Sequence, residues 1–222
     1  MGDELKLYTV RGSPFVCRVE IALKLKRINY QIIQEDLKNK SSDLLNFNPV
    51  HKQVPVLLHN GKSISESLVI VEYIDDVWNA FPILPHHPYQ KSVARFWAKF
   101  IDSTCIPALF KVFGTNGAEQ AIAEACEKLQ ILENELNVKG NKFFGGDNIN
   151  FIDIAANVIA YWLGMLEEGT EIRFFTKEKF PKLHEWADNF VKVETVKEVL
   201  PPRIIPPKAQ LLAVFKQRFG NS

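Results

Sequence analysis

Val54-Pro55-Val56-Leu57-Leu58-His59-Asn60-Gly61-Lys62-Ser63-Ile64-Ser65-Glu66-Ser67 is the stretch on which the fold turns. Val54–His59 and Ser63-Ile64 read as short strands, and the Asn60-Gly61 pair that separates them predicts a two-residue hairpin, since both residue types accept the positive φ such a turn demands. Ser65-Glu66-Ser67 then opens a helix that carries Val71, Ile74 and Asp75 in its later turns. Reading backwards, Asn48-Pro49 closes a short helical stretch and residues 30–35 form another strand. Phe15, Val19, Ala22 and Leu23 recur at helical spacing, with Pro14 suited to the first helical position, where a missing N–H costs nothing. Residues 5–10, Leu-Lys-Leu-Tyr-Thr-Val, are a first strand, ended by Arg11-Gly12-Ser13-Pro14. The order β-α-β-α-β-β-α within about 78 residues is an α/β unit.

Reading forwards, the texture changes. Residues 81–88 hold three prolines in eight positions and cannot be helical. This predicts a first domain over residues 1–80, a linker over 81–89 and a second domain over 90–222. The second half is helical almost throughout. Val93, Phe96, Trp97, Phe100 and Ile101 make one apolar stripe; Ile122, Ala125, Leu129, Leu132 and Leu136 a second; Phe151, Ile154, Ala155, Val158, Ile159 and Trp162 a third. Asn150-x-x-Asp153 has the spacing of a capping box at the start of the third.

A formal net charge of +1 gives no electrostatic case for nucleic acid or an anionic membrane. Cys17, Cys105 and Cys126 form no CxxC pair and, being odd in number, no disulfide framework, which predicts a reducing compartment. Met1-Gly2-Asp3-Glu4 carries acid and no apolar core, so no leader is expected, and Lys6 stands where N-myristoylation would need Ser or Thr. No apolar run approaches the ~18 residues that span a bilayer. A cytosolic protein is therefore expected. The five histidines show no metal-ligand spacing, so no metal is expected.

Four segments of the first half offer chemistry, and each has a plainer reading. Ser13 at a helix N-terminus is either a turn or cap serine, or a hydroxyl that donates to a thiolate where the helix dipole favours an anion. Pro55 is either an edge-strand proline or a cis proline that leaves the Val54 backbone to pair with a peptide-like ligand. Glu66-Ser67 either caps a helix or holds an amino-acid head group, Ser67 and backbone N–H groups taking its carboxylate and Glu66 its ammonium. Lys40, with Gln53, is either a solvated surface lysine or the partner of a second carboxylate. A tripeptide with an amino-acid head, a central thiol and a terminal carboxylate satisfies all four; that ligand is glutathione.

These segments resemble the glutathione transferases and, within them, the plant tau class. The resemblance is carried by Ser13-Pro14-Phe15 with Arg18-Val19; Glu35-Asp36-Leu37 with Asn39-Lys40-Ser41; Asn48-Pro49-Val50-His51-Lys52; Val54-Pro55-Val56-Leu57; His59-Asn60-Gly61-Lys62; Glu66-Ser67-Leu68; Arg95-Phe96-Trp97-Ala98; and Phe144-Gly145-Gly146-Asp147. It runs through essentially the whole chain and is densest between residues 35 and 78. It implies a thioredoxin-like first domain and an all-α second domain. It implies conjugation of glutathione, as co-substrate, to hydrophobic electrophiles in detoxification and stress response, with glutathione peroxidase side activity. It also implies a homodimer. By position, Ser13 is implied to activate the thiol, Lys40 and Gln53 to face the glycine carboxylate, Val54 and the cis Pro55 to meet the cysteinyl part, and Glu66 and Ser67 to hold the γ-glutamyl group. Arg18 and Asp102 are implied to support Glu66. Phe15, Ile106, Phe110, Trp162 and Phe215 are implied to line the electrophile site. Gln53 stands where the family usually has lysine, which predicts weaker glutathione binding.

Two rival readings use the same residues. A thioltransferase of this fold would need a nucleophilic cysteine at the helix N-terminus, where Ser13 stands. A ligandin would carry hydrophobic small molecules with weak turnover, since fold does not settle function.

Overall fold

A computed structural model describes residues 4–219; the acidic start at residues 1–3 and the end at residues 220–222 lie outside the described residues. The elements are, in order, β1 (Leu5–Thr9), α1 (Pro14–Leu25), β2 (Gln31–Gln34), α2 (Ser42–Phe47), β3 (Val56–His59), β4 (Lys62–Ser65) and α3 (Ser67–Val77). After them come α4 (Pro88–Phe100), α5 (Ile106–Gly114), α6 (Glu119–Lys139), α7 (Phe151–Ala155), α8 (Leu163–Thr170), α9 (Pro181–Phe190), α10 (Glu194–Lys197) and α11 (Lys208–Phe219). Wider π-helical turns at Ile101–Cys105 and Val158–Trp162 run into α5 and α8. Contacts divide the chain into two units: one is the chain up to His86 with Thr195–Pro201, the other His87–Glu194 with the chain from Pro202 onward.

In the first unit the sheet order is β2-β1-β3-β4. β1 runs parallel to β2 and antiparallel to β3, and β3 pairs antiparallel with β4, the mixed sheet of a thioredoxin-like domain. Asn60 (φ 49°) and Gly61 (φ 78°) both take positive φ, as the hairpin signal requires. β3 begins at Val56 and not at Val54, because the proline nitrogen at 55 has no hydrogen to give a ladder. Strand alternation separates the two faces. Tyr8, Val56 and Leu58 cluster with Leu44 of α2, while Leu7 and Leu57, one residue out of phase, are wholly buried on the other side.

Asp75 of α3 anchors the proline-rich connection that follows. Its carboxylate takes the backbone N–H groups of Ile83 (2.8 Å) and Leu84 (2.9 Å) and the buried ammonium of Lys26. The second unit is helical; α5 packs against α6 and α11, and α9 against α6. Among the described residues no helix is long and apolar enough to cross a membrane, and Cys17, Cys105 and Cys126 are all free thiols, all buried.

One half-buried acid of α1, Glu20, makes stability depend on pH. Burial pushes the carboxyl of Glu20 up to about 7, against the pull of its hydrogen bond with Tyr30. A folded pKa above the unfolded 4.5 contributes stability that is complete below pH 4.5 and lost as pH rises through about 7. Glu20→Gln keeps an acceptor for Tyr30 and cannot ionise. Its stability relative to the parent is expected to improve by on the order of 2 kcal/mol between pH 5 and pH 8. Tm measured at both pH values checks this; parallel pH profiles would contradict it.

Candidate functional site

The site is built around the N-termini of α1 and α3. Ser13 is the N-cap of α1, in extended conformation, and its hydroxyl oxygen accepts the Val16 N–H at 3.3 Å. Pro14 follows at the first helical position. The first turn of α1 holds no acidic residue, so no carboxylate in that turn offsets the partial positive charge of the N-terminus. The hydroxyl therefore accepts from the helix through a lone pair and keeps its proton for an outside acceptor. The cap and the thiol-activating reading of Ser13 are compatible.

The Val54-Pro55 peptide bond is cis. Pro55 is buried and Val54 half-buried, and both precede the paired residues of β3. Gln53 is exposed, and its carbonyl accepts the Asn48 side-chain amide at 3.0 Å. Asn48 also accepts the His51 N–H at 3.1 Å, so one buried side chain folds the segment 48–53. Lys40 is half-buried. Its neighbour Ser41 caps α2 through Leu44 and donates its hydroxyl to Glu35 at 2.6 Å, which fixes the backbone at that point.

Glu66 takes φ 73° and ψ 117° just before α3. Positive φ in a residue with a side chain costs of order 1–3 kcal/mol, which makes such a residue a marker of a functional turn. Its carboxylate is exposed, with His51 Nε2 at 3.6 Å. Ser67, by contrast, is buried, and its hydroxyl accepts from Arg18 at 3.1 Å. Arg18 is fully buried, and its guanidinium also lies 5.0 Å from the centre of the Phe15 ring. The side chain of α1 thus ties Phe15, two residues from Ser13, to the start of α3. The sequence offered Arg18 only by family position; nothing local marks a buried arginine whose partner lies 49 residues on. Asn48, Glu35 and His51 were missed as supports. Asn before Pro at 48–49 is a turn signal that points to the first of them.

The residues assigned to the electrophile lie in the second unit, apart from Phe15. Ile106 is almost completely buried. Phe110 and Phe215 are half-buried and meet at 5.2 Å between ring centres, and Phe215 also meets Phe113 at 5.6 Å. Trp162 is half-buried and packs edge-on against Tyr161. Asp102 and Trp162 both sit in the π-helical turns, a feature frequent at functional sites. Among the described residues no group of three or more His, Cys, Asp or Glu could hold a metal ion.

Comparison with known proteins agrees with this geometry. The family model described as "Glutathione S-transferase, N-terminal domain" matches residues 3–76 and "Glutathione S-transferase, C-terminal domain" matches residues 104–194. A probable glutathione S-transferase of Glycine max is 50% identical over 222 residues, covering 99% of this chain and 96% of that one. Glutathione S-transferase U8 of Arabidopsis thaliana is 49% identical over 223 residues, covering 99% and 96%. Among solved structures, a tau class glutathione S-transferase from mango superposes with a TM-score of 0.83 at 36% identity, covering 96% of this chain and 98% of that one. Rice GST1 in complex with glutathione gives 0.83 at 33% identity, covering 99% of each. With both halves matched and relatives similar from end to end, the chain belongs to the glutathione S-transferase family, in its tau class.

Proposed function

We propose that this protein conjugates glutathione to hydrophobic electrophiles, with the Ser13 hydroxyl holding the thiol as thiolate. The observation that carries this is the hydrogen bonding of Ser13: it accepts from Val16 and retains a proton to donate, at a helix end with no acid in its first turn. The thiolate sulfur attacks the electrophilic carbon; the C–S bond forms as the leaving group departs with its electron pair, and the thiol proton goes to solvent. Serine stays unmodified. The protein supplies orientation and stabilisation of the anion.

Around that sulfur, Lys40 and Gln53 are the proposed partners of the glycine carboxylate, and the Val54 backbone next to Pro55 that of the cysteinyl residue. Glu66 and Ser67 take the γ-glutamyl group. Arg18 acts as a positioning residue through Ser67, and Asp102 is assigned to the same support. The acceptor is drawn to the apolar side chains Phe15, Ile106, Phe110, Trp162 and Phe215, which suits aromatic or alkyl electrophiles. A homodimer is proposed too; Tyr89 and Phe96 of α4 expose large aromatic surface that a partner copy would cover.

Turnover of 1-chloro-2,4-dinitrobenzene with glutathione tests the reading, and iodoacetamide separates it from a cysteine mechanism. All three cysteines are buried, and burial pushes the Cys105 thiol up to about 12. Activity is expected to survive alkylation under native conditions, and its complete loss would overturn the serine assignment. The glutathione KM of Gln53→Lys is expected to fall several-fold, because a charged donor replaces a neutral one at the glycine carboxylate. An unchanged or higher KM would remove Gln53 from that role.

A further inference from the structure

Gly169 is the penultimate residue of α8, and neither its backbone nor a cap accounts for it. The left-handed residue that ends the helix is Glu171 (φ 63°), and Gly169 itself has no positive φ. Glycine is a poorer helix former than alanine, so a glycine with helical backbone points to a need for space. That space is taken. A Cβ on Gly169 would meet Leu211 Cδ1 at 2.5 Å and Ile205 Cγ2 at 2.7 Å, whereas one on Gly164 of the same helix would meet nothing within 4 Å.

Non-bonded carbons settle at about 3.5–4.0 Å, so both neighbours would have to retreat by about 1 Å. Leu211 can turn its terminal methyl aside. Ile205 is less free: its Cγ2 sits on a branched Cβ with a stiff χ1, and Pro206 and Pro207 follow with φ fixed by their rings. Retreat at Ile205 therefore carries the start of α11 with it. Leu211 and Phe215 are four residues apart on α11, on one face and about 6 Å apart along the axis. Leu211 sits on Gly169, and Phe215 meets the rings of Phe110 and Phe113. Two ion pairs also join this segment to α8, Arg203 to Glu168 and Lys208 to Glu171, both at 2.6 Å. Their side chains are about half exposed or more, and surface pairs of that kind contribute little. The close packing at Gly169 is what fixes the position.

We propose that Gly169 is a positioning residue for the electrophile. By admitting Ile205 and Leu211 against α8, it sets where Phe215 stands beside Phe110, and so the apolar surface on which a compact aromatic acceptor packs. This role rests on the reading that Phe110 and Phe215 line the electrophile site.

Steady-state kinetics of Gly169→Ala with 1-chloro-2,4-dinitrobenzene test it. The KM for the electrophile is expected to rise about threefold to tenfold, with the glutathione KM within about twofold of the parent. Trypsin cleavage of the native protein after the exposed Arg203 and Lys208 is expected to be faster, an effect read without turnover. Ile205→Ala in the same chain removes the blocking methyl and should return the electrophile KM to within about twofold of the parent, whereas a general loss of folding would not be repaired by a second truncation. A parental electrophile KM in Gly169→Ala overturns the role of Gly169. So do equal rises in both KM values, a parental cleavage rate, or no recovery in the double variant. Phe215→Ala keeps the underlying reading separate. If it leaves the electrophile KM unchanged, Phe215 is not part of the wall; if it raises that KM while Gly169→Ala does not, the wall stands and the role of Gly169 falls.

Discussion

Replacing Ser13 with Ala is expected to lower kcat/KM for glutathione conjugation at pH 6.5 by about 10- to 100-fold, with little change in the glutathione KM. The hydroxyl donates one charge-assisted hydrogen bond, worth roughly 1.5–3 kcal/mol, to the thiolate and much less to the thiol. Each 1.36 kcal/mol of preference for the anion lowers the thiol pKa by one unit, so about one to two units are at stake. A free thiol titrates near pH 8.5. At pH 6.5 the thiolate population, and with it the rate, then depends on the shift almost in full. The effect has a pH signature. The rate of the parent falls as pH drops through the lowered thiol pKa, whereas the Ala profile breaks one to two units higher. The two rates should converge as pH approaches 8.5. Ser13 also caps α1 through Val16, so the variant loses about 1 kcal/mol of stability as well. Ser13→Thr, which keeps both the cap and the hydroxyl, separates the two effects: it should recover most of the rate. Equal rates for parent and Ala at pH 6.5 would remove serine from the mechanism.

What could be read from the sequence was chiefly local. The Asn60-Gly61 hairpin was legible because a turn with two positive φ angles admits few residue types. Ser13-Pro14 was legible as a helix start because cap and first-turn preferences act within four residues. The capping box at Asn150 and Asp153 was legible for the same reason. What escaped are contacts between distant residues. Arg18 satisfies Ser67 from 49 residues away, and Glu133 accepts the Lys182 and Leu183 N–H groups at the start of α9, where Phe180 supplies no cap of its own. Glu167 serves Phe174 and Phe175 similarly. In each case an acid or a guanidinium inside a helical pattern reads as a solvated face, and only the fold shows that it is buried against unpaired backbone. The return of Thr195–Pro201 to the first unit has no sequence signal either. The positive φ of Glu66 is a third kind of omission: the residue was singled out for its charge, while its backbone, which aims it, was invisible.

The largest loss of stability is expected at Asp153. Its carboxylate is fully buried and accepts four hydrogen bonds: from the N–H groups of Phe144 at 2.9 Å, Gly145 at 3.2 Å and Asn150 at 2.8 Å, and from Trp186 Nε1 at 2.8 Å. It thereby joins the turn before α7, the start of α7 and the core face of α9. Asp153→Ala removes the acceptor and leaves four donors without it at a fully buried position. Each buried unsatisfied donor costs about 1–3 kcal/mol, and the costs do not add in full, so a loss of about 4–5 kcal/mol is expected. Against a total of about 5–15 kcal/mol for a typical domain, that is enough to unfold much of the protein at 37 °C. Asp153→Asn decides whether the charge or the acceptor matters. The amide keeps one oxygen for two of the donors, and its NH2 faces the other two, so about half the loss is expected. The turn is tight: a Cβ on Gly145 would come within 2.5 Å of the Asn148 carbonyl oxygen, so only glycine fits beside the carboxylate. Denaturant midpoints of the three proteins, at constant m-value, check the order parent above Asn above Ala. A loss below about 1.5 kcal/mol in Asp153→Ala would mean that water replaces the carboxylate, and that the capping box is local decoration on a core held by Trp186 and Phe144 packing alone.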